Sequence, residues 1–184
     1  EAHATGIFGK NGTGLVEESA LTGKIDLIMG TFSKALGSFG AYLACSDQVK
    51  SYLINTCRSF IYSTSLPPSV IAANIESLEL IREEPFRRKE LLKNAYYFRN
   101  GLKELGFEVR GASQIVPLIL GENEKAVTLG ARLQERGYRV LPIRPPTVPT
   151  GEARLRFSLT YEHSKEMLGK LIDVISNIDP GLGD

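Results

Sequence analysis

Lys34 sits in the segment Gly30-Thr-Phe-Ser-Lys34-Ala-Leu-Gly-Ser-Phe-Gly40, which follows a short apolar run and flanks the amine with hydroxyl side chains and glycines. Three readings of this glycine-rich region can be weighed. A phosphate-binding P-loop needs glycine directly before the lysine and serine or threonine directly after it. Ser33 and Ala35 stand there instead. Gly9, Gly12 and Gly14 have the wrong spacing for a dinucleotide-binding G-x-G-x-x-G. The third reading, condensation of the amine with an aldehyde to a Schiff base, suits the residue types. An exposed lysine has a pKa of ~10.4, so such an amine must be partly desolvated to be free near neutral pH. Thr31 and Ser33 can donate hydrogen bonds to a phosphate, and Gly37 and Gly40 let backbone approach closely. Taken alone, the segment fits a surface lysine ending a strand slightly better.

His3 precedes Ala4-Thr5-Gly6 and several further glycines, the composition of a loop leaving a strand end, where sites gather in α/β sheets. A lone histidine is usually a capping or core residue, and metal ligation lacks partners here. A neutral imidazole beside a cofactor hydroxyl is chemically sensible.

The rest of the chain must position these groups. Its 22 basic and 21 acidic side chains leave a net charge of +1, which gives no long-range field to attract nucleic acid or an anionic membrane. Any bound anion is therefore held by local groups. Cys45 and Cys57 form no disulfide framework or zinc motif and read as buried apolar fillers. No apolar run approaches the length of a membrane span. The first residue is Glu1, so the absence of a targeting signal carries no information.

Ile25–Met29 predicts a buried strand, Ala41–Cys45 a second and Phe60–Thr64 a third. A helix capped by Asp47 runs through Val49, Leu53 and Ile54, and another starts at Pro67-Pro68. After Glu83-Glu84-Pro85 comes a helix with Leu91, Ala95, Phe98 and Leu102 on one stripe, closed by Gly106. Its Arg87-Arg88-Lys89 run reads as a solvated face. Strands are expected at Phe107–Arg110, Ile115–Leu120, Tyr138–Leu141 and Ala153–Leu159, with helices over roughly 124–136 and through Met167–Ile175. This is an α/β pattern. It divides into part of a larger sheet domain, Glu1–Glu84, and a small α+β domain, Pro85–Asp184.

Four segments in order resemble the α-oxoamine synthases, which are fold-type I (aspartate aminotransferase-like) enzymes dependent on pyridoxal 5'-phosphate (PLP). They are Glu1-Ala-His-Ala-Thr-Gly6, Asp26-Leu-Ile-Met-Gly-Thr-Phe-Ser-Lys34, Ile61-Tyr-Ser-Thr-Ser-Leu-Pro-Pro68, and Arg144-Pro-Pro-Thr-Val-Pro149 with Ala153-Arg-Leu-Arg156. The last resembles the biotin-pathway branch of the family most closely. The resemblance implies that Lys34 holds PLP as a Schiff base and moves the substrate's α-proton. It implies that His3 bonds the ring hydroxyl and Thr31 the phosphate, and that Thr64 reaches the phosphate of the neighbouring subunit in a homodimer. Arg144 would fix the amino-acid carboxylate, for which a planar guanidinium is well suited, and Thr147 would contact substrate in the same loop. Arg154 and Arg156 stay ambiguous between strand-edge charges and substrate-cleft groups.

The implied reaction is decarboxylative condensation of L-alanine with a pimeloyl thioester, in a cytoplasmic enzyme. Siblings that use glycine or serine, and a non-catalytic dimerisation module, remain as alternatives. The family's aspartate for the pyridine nitrogen would directly precede Glu1, and its ring-stacking aromatic residue would lie further upstream. The chain therefore reads as the carboxy-terminal part of such an enzyme, expected on its own to bind PLP weakly, to turn over nothing and to expose apolar surface.

Overall fold

The computed structural model describes residues 1–178. The chain forms two compact units, Glu1–Arg88 and Lys89 onward; of the second domain expected from the sequence, residues 179–184 lie outside the described residues. In the first unit a single turn, α1 (Leu15–Glu18), precedes strand β1 (Leu27–Thr31), which begins two residues later than the apolar run does. β1 pairs antiparallel with β2 (Ala41–Cys45), Gly30 standing opposite Tyr42 and Thr31 opposite Ala41. The expectation of a buried strand fails: Leu27, Met29 and Leu43 are exposed. A ribbon of two strands has too little cover to bury both faces. Cys45 and Cys57 are likewise partly exposed free thiols rather than buried fillers.

Helix α2 (Asp47–Thr56) is capped by Ser46, whose Oγ accepts from Val49 N at 3.3 Å. Asp47, expected as the cap, is instead the first helical residue and pairs with Lys50 at 2.6 Å. Its charge still suits the positive end of the helix. The strand expected at Phe60–Thr64 is a helical turn, α3 (Arg58–Ile61). This segment pairs with neither β1 nor β2. It satisfies its backbone locally, with Phe60 N and Ile61 N bonding Cys57 O. Helix α4 (Pro68–Glu83) starts at the expected proline, and α5 (Pro85–Glu104) follows after one residue.

The basic run on α5 is not wholly solvated. Arg88 is buried, donating to Ile81 O at 2.9 Å and to Lys10 O, so it belongs to the first unit's interior. Leu91, Ala95, Phe98 and Leu102 form the expected buried stripe of α5. The helix ends in a Schellman motif: Gly106 adopts φ 89°, with Gly106 N bonding Lys103 O and Phe107 N bonding Leu102 O.

The second unit holds a four-stranded antiparallel sheet, with β3 (Glu108–Val109), β4 (Ile115–Gly121), β5 (Leu141–Ile143) and β6 (Ala153–Ser158) in the order β3-β4-β6-β5. Strand β5 lies three residues beyond the expected start at Tyr138, because Gly137 at φ 85° closes helix α6 (Asn123–Glu135) and the chain must first turn. As an edge strand β5 tolerates Pro142. One sheet face carries Val116, Leu118, Leu155 and Phe157, all buried. Phe98 of α5 meets Phe157 edge-to-face at 5.0 Å. A Cβ on Gly130 of α6 would touch Leu155 and Pro142, so the missing side chain there admits close helix–sheet packing. Helix α7 (Lys165–Ile178) adds Leu168, Leu171, Ile175 and Ile178 to this core. Leu155 is completely buried on the central strand. Leu155→Ala is expected to destabilise the second unit by about 2–5 kcal/mol, read as a fall in the denaturant midpoint with the slope unchanged.

Candidate functional site

The lysine loop is the connection of the β1–β2 hairpin. Phe32 N bonds Gly40 O at 2.9 Å, Ser38 N bonds Phe32 O at 2.9 Å, and Gly37 N closes a turn on Lys34 O at 3.0 Å. Gly37, at φ 62°, permits that turn to close without Cβ strain. Helix α4 holds the loop from beside it. Asn74 Nδ2 donates to Phe39 O at 3.2 Å, and the Ser77 hydroxyl lies 2.8 Å from both Leu36 O and Ala73 O, sharing one proton between them. Leu36 is buried beneath the loop, whereas Lys34 is exposed and makes no hydrogen bond or ion pair among the described residues, so the partial desolvation expected of a Schiff-base amine is not met. Three residues before it, Thr31 Oγ1 is buried without a hydrogen-bond partner. A hydroxyl left in that state costs about 1–3 kcal/mol unless a ligand satisfies it.

His3 lies exposed in the turn that precedes the glycine-rich loop. The turn is tied to both strands, because Glu1 N donates to Met29 O at 2.7 Å and Thr5 Oγ1 lies 2.6 Å from the Tyr42 hydroxyl. Tyr42 occupies the space over Gly30, where any Cβ would collide with its ring, and packs edge-on to Phe32 at 5.5 Å. One hairpin thus carries Thr31 and Lys34 and anchors the turn that holds His3. Thr64 is exposed beyond α3, in the segment whose Leu66 reaches the Gly40 end of the loop.

The glycine-rich loop folds around a carboxylate. Glu17 accepts from Asn11 N at 2.9 Å, Asn11 Nδ2 at 2.6 Å, Thr13 N at 3.1 Å and Thr13 Oγ1 at 2.8 Å. These bonds, the Asn11 amide foremost, hold its carboxyl at about 2, below the usual carboxylate range.

In the second unit Arg144 and Thr147 are exposed in one loop, where Thr147 N bonds Arg144 O at 3.0 Å around the cis Pro145-Pro146 bond. The sequence left Arg154 and Arg156 undecided, and the structure separates them. Arg154 Nη2 pairs with Glu152 Oε2 at 2.6 Å, whereas Arg156 has a buried Nε and no partner among the described residues. The readable signal was the alternation Ala153-Arg-Leu-Arg-Phe157, which sets both arginines on the sheet face opposite the apolar core.

The sequence model of the aminotransferase class I and II family matches residues 1–175. The chain belongs to the class I and II aminotransferase family. Within that family it resembles a Geobacillus kaustophilus protein with the provisional name 8-amino-7-oxononanoate synthase, 47% identical over 178 residues, covering 96% of this chain and 46% of that protein. Among solved structures, serine palmitoyltransferase from S. paucimobilis, with a PLP–myriocin aldimine bound, is 32% identical with TM-score 0.92, over 100% of this chain and 47% of that one. An 8-amino-7-oxononanoate synthase from Francisella tularensis is 28% identical with TM-score 0.84, over 97% of this chain and 53% of that one. The chain spans about half the length of the curated relatives it matches. These relatives are α-oxoamine synthases, the group that the four sequence motifs resemble.

Pyridoxal phosphate is the cofactor of this class I and II aminotransferase fold. The residues present fit it: the orphaned Thr31 hydroxyl is a donor waiting for an acceptor, and the pinned loop presents a primary amine three residues away. No helix among the described residues is long and apolar enough to cross a membrane. The Glu17 bonds depend on the ionised carboxylate, so what they add to loop order is complete above about pH 4.5 and is lost as pH falls through about 2. In an NMR titration the Asn11 and Thr13 amide resonances are expected to hold steady down to pH 4 and then move together, whereas Glu17→Gln should displace them at every pH.

Proposed function

We propose that the whole protein to which this chain belongs catalyses the decarboxylative condensation of L-alanine with a pimeloyl thioester, giving 8-amino-7-oxononanoate, carbon dioxide and a free thiol. The observation that carries the reading is the hairpin itself, with an amine on a loop pinned by Asn74 and Ser77 and an unsatisfied buried hydroxyl at Thr31. Relatives at 47% and 43% identity bearing the synthase name support this substrate pair. A second reading, condensation of serine with a longer acyl thioester, is favoured by the higher structural likeness to serine palmitoyltransferase.

When bound, pyridoxal phosphate supplies an electron sink for charge developing at the substrate's α-carbon. This chain's residues have separate tasks in that reaction. Lys34 Nζ anchors the cofactor, then takes the proton from the alanine α-carbon and later returns one. Thr31 Oγ1 donates to the phosphate, which relieves its buried and unsatisfied state. His3 bonds the ring hydroxyl, and Thr64 serves the phosphate of a partner subunit in a homodimer. The substrate carboxylate is taken by an arginine, as the family resemblance implies. Arg156 suits this role better than the solvated Arg144, because it is half-buried and its buried Nε lacks a partner that a carboxylate could supply. Arg144 and Thr147 then bear on the outer part of the substrate.

Borohydride reduction of the PLP-loaded full-length protein, followed by peptide mapping, is expected to label Lys34; a label elsewhere refutes the assignment. Lys34→Ala should lower turnover by more than about 10³-fold. Assay of alanine, glycine and serine against short and long acyl thioesters separates the two readings. In the same assay Arg156→Gln should raise the KM for the amino acid about tenfold or more, while Arg144→Gln should change it by about threefold or less.

A further inference from the structure

Alternation along β6 puts Arg154 and Arg156 on one sheet face, roughly 6.6 Å apart along the strand. Their surroundings treat them differently. The Arg154 side chain is only 17% exposed, and Glu152 neutralises it, through the 2.6 Å pair between carboxylate and guanidinium and a 2.9 Å bond from Nε to Glu152 O. The other Glu152 oxygen takes Arg110 Nη1 at 3.0 Å, and Arg110 reaches Glu108 Oε1 at 2.6 Å. Glu108 and Glu152 thus balance Arg110 and Arg154. Arg110 first, and then Arg154, hold the Glu152 carboxyl below the usual range, which keeps it ionised near neutral pH. Arg156 is left outside this balance, with its Nε buried and unmet.

We propose that Glu152 is a specificity-determining residue: by cancelling Arg154 it leaves Arg156 as the one anion-binding guanidinium on this face, and so restricts the amino-acid substrate to a single carboxylate. The inference rests on the reading that Arg156 holds the substrate carboxylate. A dicarboxylic amino acid would satisfy Arg156 with one carboxylate and leave the second beside an arginine already paired. Desolvating that second charge without a free partner disfavours it. Removing the Glu152 charge turns Arg154 into a second receptor two positions along the strand.

The test uses the full-length protein and two probes that lack an amine and cannot condense with the cofactor: butyrate, with one carboxylate, and glutarate, with two. Calorimetric affinities are measured for the wild type, Glu152→Gln, Glu152→Gln/Arg154→Gln and Arg156→Gln, with Glu152→Ala as a second removal of the charge should the glutamine variant unfold. Loss of Glu152 is expected to tighten glutarate relative to butyrate by about tenfold. The added Arg154→Gln should abolish the gain. An unchanged glutarate-to-butyrate ratio without Glu152, or a gain that survives loss of Arg154, overturns the proposal. If Arg156→Gln leaves butyrate affinity unchanged, it is the carboxylate assignment to Arg156 that fails.

Discussion

The functional arrangement in the first unit depends on how its hairpin connection is held. A two-stranded ribbon fixes only the residues in its ladder, and Lys34 lies outside the ladder. The connection becomes a defined platform because α4 supplies donors to its carbonyls from Asn74 and Ser77 and because Leu36 is buried under it. Those bonds leave the amine without a structural duty. A helix whose visible sequence logic is only an apolar stripe behind two prolines thus controls the position of a reactive nitrogen.

The second unit solves a different problem, the presentation of positive charge on a sheet. Its core is apolar on one face, with Leu118, Leu155 and Phe157 packed under α5 and α6. Alternation then places the arginines of the same strand on the opposite face at no cost to that core. Charge on that face is metered by pairing. The Arg110–Glu152–Arg154 group therefore decides which guanidinium on this face is occupied.

Much of this was legible in the sequence, for identifiable reasons. Long periodic helices with proline starts, α4 and α5, announce themselves, the latter also by the glycine that ends it, as does an alternating strand such as β6. Lys34, Thr31 and His3 are singled out through the order of four motifs along the chain, since the lysine segment taken alone fits a surface lysine slightly better. What escaped was set by partners distant in sequence. Phe60–Thr64 has strand-forming residues, yet its start closes a local helical turn on Cys57 O instead of joining a ladder. Arg88 looked solvated because nothing local reveals that Lys10 and Ile81 present carbonyls to it. The difference between Arg154 and Arg156 was equally hidden, since it lies in which of two identical side chains a glutamate reaches.

The Gly30, Tyr42 and Thr5 contact ties the evolution of three positions together. Tyr42 fits only because position 30 lacks a side chain, and its hydroxyl gives Thr5 a partner. A lineage that acquires alanine or serine at position 30 must first shrink residue 42, and the threonine hydroxyl then keeps only its 3.2 Å bond to Glu1 O. Substitutions at these sites should accordingly be inherited as a set, with intermediate combinations rarely retained.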